Sequence, residues 1–184
     1  MNKIFALLLA VVVSLWMGAL CSAKSADPPS EATAGPYNLS FSFAPATGPD
    51  GYDSGWGASF GAGYMLESID KNLEARIDLS VYQFDHNFYW GSGTFTRVPI
   101  TLSARYYVPI QDKLRAFGQV GLETSIDSYD TSNNTRQNEV NVGLSPGLGI
   151  EFIANPKVSL FALAIEHLIT DNYFSLQLGV AIHF

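Results

Sequence analysis

The sequence predicts an all-β chain, an eight-stranded antiparallel up-and-down β-barrel that is transmembrane, crossing the bilayer with its strands. Three observations carry that reading. Apolar residues recur with period two, not 3.6, from Tyr37 to the C-terminus. The alternating segments are about ten residues long, which is what a tilted strand needs to cross the hydrocarbon layer. The apolar faces of the second to sixth and of the eighth segments carry no Asp, Glu, Lys or Arg.

Ahead of the first strand, residues 1–23 have the three regions of a secretory signal: a basic start with Lys3, an apolar run from Ile4 through Met17, and small residues around Cys21, Ser22 and Ala23. A retained membrane helix is the alternative, since the run is nearly long enough to span, but the order of the regions favours cleavage after Ala23. Lipidation of Cys21 is disfavoured by Leu20 in front of it. Cleavage removes the only cysteine, and with it any disulfide, thiol or cysteine-zinc chemistry. It also removes Lys3, leaving nine basic against seventeen acidic residues and a formal charge of −8, which excludes a nucleic-acid partner. Residues 24–36, with three prolines and little apolar content, read as a flexible leader. Residues 37–184 are the barrel.

The strands follow in order. Tyr37 to Ala44 sets Leu39, Phe41 and Phe43 against Asn38, Ser40 and Ser42; Pro45 to Ser54 is a loop rich in Pro, Gly and Asp. Gly55 to Leu66 opposes Trp56, Ala58, Phe60, Ala62 and Tyr64 to glycines and Ser59. After a turn at Glu67 to Asn72, the third strand alternates Leu73 to Val81 against Glu74, Arg76, Asp78, Ser80 and Tyr82, and Asp85 to Phe95 reads as a long loop. The fourth sets Val98 to Tyr106 against Arg97, Thr101, Ser103, Arg105 and Tyr107, and ends at Pro109 and the Asp112-Lys113 turn. The fifth opposes Leu114 to Leu122 to Arg115, Phe117, Gln119 and Glu123, and Asp127 to Asn138 is again a polar loop. In the sixth, Val140 to Ile150 face away from Ser145 and Glu151, with Pro146 marking a bend. The seventh, Val158 to Leu168, is apolar on both faces until Glu166 and His167, and the eighth, Tyr173 to Phe184, alternates without a break.

Short turns alternate with mostly longer loops, as in barrels with periplasmic turns and external loops. A soluble barrel would carry charge outside and apolar residues within. Here the second face holds glycine, serine, glutamine and charges of both signs, so Glu74, Arg76, Asp78, Arg97, Arg105, Arg115, Glu123 and Glu151 are expected to pair as a polar network in a narrow lumen. Trp56, Tyr64, Tyr82, Tyr106 and Phe174 are candidates for the aromatic girdles at the interfaces.

The stretch Arg97-Val-Pro-Ile-Thr-Leu-Ser-Ala-Arg-Tyr-Tyr-Val-Pro109, the glycine-punctuated fifth and sixth strands and the alternating last strand ending in Phe184 resemble the small outer-membrane β-barrel family of OmpA-like and OmpX-like domains, over about Tyr37 to Phe184. The resemblance implies a bacterial outer-membrane protein surrounded by outer-membrane lipid and lipopolysaccharide. It also implies that Phe184 is the signal read by the outer-membrane insertion machinery. It says little of activity, because the same fold hosts anchors, adhesins, narrow pores and enzymes.

The reading favoured is therefore a non-enzymatic barrel, monomeric and without cofactor, with a structural, surface-interaction or narrow-pore role. An eight-stranded interior is only just wide enough for its own side chains. A second reading is a lipid A-modifying enzyme of the deacylase kind, prompted by Glu166 and His167. Adjacent strand residues point to opposite faces, however, and Ile169 stands where the deacylase pattern has a serine two residues after the histidine. A third is a soluble lipocalin-like binder of a small apolar ligand. His86, His167 and His183 are too scattered for a metal site, and Asp127, Asp130 and Glu139 fit no dedicated calcium loop. Asn133-Asn134-Thr135 matches a glycosylation acceptor that an outer-membrane setting makes irrelevant.

Overall fold

A computed structural model describes residues 35–49, 52–88, 91–130 and 136–184. The signal segment 1–23, nearly all of the leader 24–36 and the Asn133-Asn134-Thr135 acceptor lie outside them. The described strands are β1 (Tyr37–Ala46), β2 (Gly55–Met65), β3 (Leu73–Phe88), β4 (Gly91–Gln111), β5 (Leu114–Asp130), β6 (Arg136–Leu144), β7 (Gly147–Asn155), β8 (Val158–His167) and β9 (Tyr173–His183). Each pairs antiparallel with its neighbours. β6 and β7 both lie along β5 and are two halves of one stave, bent at Ser145 and Pro146 where the proline cannot donate to the ladder. The stave continues onto β8 through Gly147 opposite Ile165 and a bridge between Leu144 and Leu168. The result is eight staves closed by β1 on β9, with Phe41 opposite Val180. At the end of that seam Tyr37 and Phe184 exchange backbone hydrogen bonds of 3.2 and 3.0 Å.

Alternation along each strand fixes what faces where. Leu102, Phe41, Val120 and Leu178 are exposed on the outside, at 63, 57, 57 and 53 %, while Arg97, Glu123 and Ser175 are fully buried within. An apolar belt turned outward with polar groups enclosed is the inverse of a soluble ligand-binding barrel, and it rules out the lipocalin-like alternative. Backbone groups in hydrocarbon must all be paired, which closure achieves without an edge.

Three expectations need correction. In the expected Asp85 to Phe95 loop, residues 85–88 and 91–95 are instead a paired extension of β3 and β4, with His86 opposite Gly93 and Phe88 opposite Gly91. Asp127 to Asn138 is likewise strand at both ends, since Asp127 pairs with Glu139 and Asp130 with Arg136. Polar composition marked these segments as loops, but a strand that stands in water needs no apolar face once its neighbours hold its backbone. Four strands, β3 to β6, therefore rise beyond the rest of the barrel on the side away from Tyr37 and Phe184. The third correction is Tyr82, which is buried in the lumen and takes no part in a girdle; Trp56 and Tyr64 are exposed on the outer surface.

At the opposite end the connections are tight. Asp112 and Lys113 alone join β4 to β5, and between β7 and β8 the Lys157 amide donates to Asn155 Oδ1 at 2.9 Å. β8 explains its own two-sided apolarity: Phe161, Leu163 and Ile165 face the lumen and form an apolar sector with Tyr107 and Phe117, while Leu160 faces out.

Candidate functional site: the barrel interior

The predicted lumen residues divide into two groups. Six of the eight gather near the tight-turn end. Arg76 Nε donates to both oxygens of Asp78 at 2.9 and 3.0 Å, and its Nη1 donates to Glu74 at 3.2 Å and to Asn38 at 3.0 Å; its Nη2 bonds Ser40. Tyr107 donates its hydroxyl proton to Glu74 at 2.5 Å and accepts from Arg105 Nη1 at 3.4 Å, so tyrosine bridges Arg105 to the carboxylate. Gln119 Oε1 accepts two further bonds from Arg105, at 3.2 and 2.8 Å. Arg115 Nε donates to Glu151 at 3.1 Å, Glu151 also takes the Ser159 hydroxyl, and His183 Nε2 lies 2.8 Å from that hydroxyl. Guanidinium groups stack as well as pair: Arg115 lies 3.8 Å over the Tyr107 ring and Arg105 4.3 Å over Phe117.

Glycines make room for this packing. A Cβ at Gly149 would stand 2.3 Å from the Phe117 ring, and one at Gly179 2.4 Å from that of Phe161. Each ring reaches over the glycine paired opposite it because nothing projects there.

Arg97 and Glu123 lie at the other end and do not join that network. Arg97 Nε and Nη2 hold Asp127 bidentately at 2.9 and 2.6 Å, and Nη1 reaches the Asp171 carbonyl at 2.9 Å. Its guanidinium sits between the rings of Phe95 and Tyr173, at 5.0 and 5.2 Å. Asn141 donates a further bond to Asp127 at 2.9 Å. Asp127, treated from sequence as part of a polar loop with calcium-binding residue types, is thus committed to an arginine. No group of three His, Cys, Asp or Glu side chains able to hold a metal ion occurs among the described residues.

Glu123 pairs with histidine instead. His167 Nδ1 lies 2.6 Å from Glu123 Oε2, and His167 Nε2 lies 2.9 Å from Ser175 Oγ. Tyr173 stacks on the imidazole at 3.9 Å with the planes 4° apart. Tyr82 donates to Ser175 at 3.3 Å and accepts from Gln177 at 3.3 Å. Glu166 and His167, set on opposite faces by the sequence alternation, are kept apart; Ile169, two residues beyond His167, is buried among aromatic rings. What sequence reasoning missed was the register between strands. Glu123 and Ser175 lie on the polar faces of their own strands, and no local pattern puts them beside a histidine 44 and 8 positions away.

An aromatic plug roofs this end. Tyr82, Phe84, Phe95, Ile169 and Tyr173 are buried together, with Ala44 and Ala46 beneath the rings of the neighbouring strands and Tyr52 of the β1–β2 connection packed on top, 5.1 Å from Phe95. Burial and the nearby Asp171 carboxylate both raise the Tyr52 hydroxyl above the ordinary tyrosine range.

Solved structures with this geometry are small barrels. Neisserial surface protein A superposes with a TM-score of 0.66 at 19 % identity, covering 82 % of this chain and 98 % of its own. OprG of Pseudomonas aeruginosa gives 0.64 at 14 %, covering 86 and 99 %. Ail of Yersinia pestis, in a complex with the heparin analogue sucrose octasulfate, gives 0.59 at 15 %, covering 80 and 97 %. No curated relative matches the chain in sequence. A family model described as the outer membrane protein beta-barrel domain matches residues 6–184, and with its closed barrel and outward apolar belt the chain belongs to that family of bacterial outer-membrane proteins.

Proposed function

We propose that this protein is a plugged, monomeric outer-membrane barrel whose role is surface interaction rather than conduction. The observation that carries the reading is the contrast between a filled lumen and a tall four-stranded projection. Inside, ion pairs and aromatic rings occupy the cross-section from Glu151 to Phe95. Outside, β3 to β6 rise beyond the belt on the side away from Tyr37 and Phe184, with Glu139 and Val140 exposed. Every strand edge within the belt is paired, which supports a monomer surrounded by lipid and lipopolysaccharide. The role calls on no chemical step and no cofactor. A surface protein and an attachment protein among the structures it resembles point the same way.

The signal segment 1–23 delivers the chain to the envelope and is cleaved after Ala23, and Phe184 is read by the insertion machinery. Orientation is the part to test. With Cys21 removed in the mature chain, Glu139→Cys and Ile69→Cys each offer a single thiol, one on the projection and one on a tight turn. A membrane-impermeant maleimide applied to intact cells is expected to label the first and spare the second, and the purified barrel in a planar bilayer is expected to hold no steady open-pore current. Labelling only at Ile69, or a large steady conductance, would reverse the reading.

A further inference from the structure

We infer that His167 carries a proton on both ring nitrogens, and that this imidazolium is a pH-sensitive latch on the aromatic plug and the β8–β9 connection. Such a latch goes beyond the surface role proposed above. Hydrogen bonding alone leaves the charge of the ring open. A neutral imidazole with its proton on Nδ1 donates to Glu123 at 2.6 Å and accepts from Ser175 at 2.9 Å. An imidazolium donates to both, and Ser175 Oγ, with two lone pairs, still accepts from Tyr82 at 3.3 Å.

The charges of the lumen decide between the two forms. Near the tight-turn end Arg76, Arg105 and Arg115 balance Glu74, Asp78 and Glu151, through ion pairs at 2.9 to 3.2 Å and the Tyr107 bridge. At the other end Arg97 balances Asp127 at 2.6 Å. Among the described lumen residues, Glu123 is the carboxylate left without a guanidinium. It is fully buried, its Oε1 hydrogen-bonds nothing, and its Oε2 meets the imidazole. A carboxylate taken out of water without a counter-charge is strongly disfavoured, and a second ring proton on His167 removes that cost. A contact as short as 2.6 Å fits a charge-assisted bond, and Tyr173, flat on the ring at 3.9 Å, stabilises a cation there. A proton, unlike a bound molecule, reaches the ring without a cavity, through brief local openings of the plug.

The imidazolium stands where a change of charge acts on a movable segment. His167 ends β8 and Tyr173 begins β9, so the stacked pair clamps both ends of the connection 168–172. Arg97 holds the same connection, with its guanidinium 5.2 Å over the Tyr173 ring and on the Asp171 carbonyl at 2.9 Å. One of these two cations is permanent and the other titrates. The groups facing the imidazole are Glu123 from β5, Tyr82 from β3, and Ser175 and Tyr173 from β9, with the Arg97–Asp127 pair behind the Tyr173 ring. Glu166 precedes it on β8 but faces outward, and Asp171 is half-buried in the connection. Loss of the ring proton strands the Glu123 charge beneath the plug. The latch is therefore closed while the ring is protonated and weakens as pH rises.

The test uses the refolded mature barrel in lipid nanodiscs, with isotope-labelled histidine and isoleucine. At neutral pH both ring nitrogens of His167 are expected to show the NMR shifts of an imidazolium, and the Ile169 methyl one buried environment. As pH rises, both signals are expected to change together. In vesicles the wild-type unfolding constant is expected to rise by up to about tenfold per pH unit as the proton is lost, the slope for one proton. H167Q is expected to remove that slope while being less stable than the wild type at neutral pH. H167Q combined with E123Q is expected to lack the slope and to recover most of the lost stability, because the stranded carboxylate is gone. A shift between unheated and boiled samples in a gel establishes that each variant is folded. Should the variants fail to fold, the wild-type ring shifts and the Ile169 methyl still decide. A single protonated ring nitrogen at neutral pH, the same pH slope in H167Q as in the wild type, or an Ile169 methyl that ignores the titration of the ring would overturn the latch.

Discussion

Single residues in this lumen are coupled by burial. Arg97 is fully buried with its guanidinium on Asp127, so Arg97→Ala leaves an unpaired carboxylate in the interior and is expected to cost about 3–5 kcal/mol in urea titrations of the barrel in lipid vesicles. Removing both charges, as Arg97→Met with Asp127→Leu, is expected to recover most of that loss, because much of it is the stranded charge and not the lost bond. Arg115→Ala should cost clearly less, since Arg115 is partly exposed beside Glu151. The glycines answer to geometry instead. Gly149→Val puts atoms where the Phe117 ring lies, and overpacking of this kind costs roughly 1–3 kcal/mol; Phe117→Leu in the same chain is expected to relieve part of it. Denaturation midpoints of the two single variants and the double one would check the coupling.

At the scale of strands, the faces are the property most legible in the sequence. Period two and the absence of charge on one face sufficed to turn Leu178 outward and Gln177 inward, and β9 has that arrangement. Leu178→Lys is accordingly expected to lose about 2–4 kcal/mol in vesicles, whereas Glu139→Lys, on the projection and outside the belt, is expected to change stability little. Equal losses at the two positions would mean that the belt has been drawn in the wrong place. Strand ends were less legible than faces. Asp85–Phe88 with Gly91–Thr94, and Asp127–Asp130 with Arg136–Glu139, pair without an apolar stripe, so no periodicity announces them. The meeting of Glu123, His167 and Ser175 was illegible for a different reason: alternation tells a residue's face but not its height, and the three meet only once β5, the bent stave, β8 and β9 have settled into register.

For the whole molecule, closure dominates. A hydrogen-bonded ladder with no edge in the belt resists detergent until heated, and unheated protein is expected to migrate differently from boiled protein in a denaturing gel. Deleting Phe184 removes an exposed ring stacked on Tyr37 and one backbone pair at the seam. The expected result is a larger fall in assembled protein in cells than in stability measured after refolding. The seam has one more consequence. Tyr37 and Phe184 lie side by side at the end where the tight turns are, so a few residues of linker could join them, and the ring of staves could be reopened at Asp112 and Lys113 without moving a strand. Such a circular permutant should refold in vitro to the same heat-sensitive barrel while presenting the cell with a different final strand. The fold is a cycle, indifferent to where it is cut; the insertion signal proposed at Phe184 would make the cell's reading of it linear.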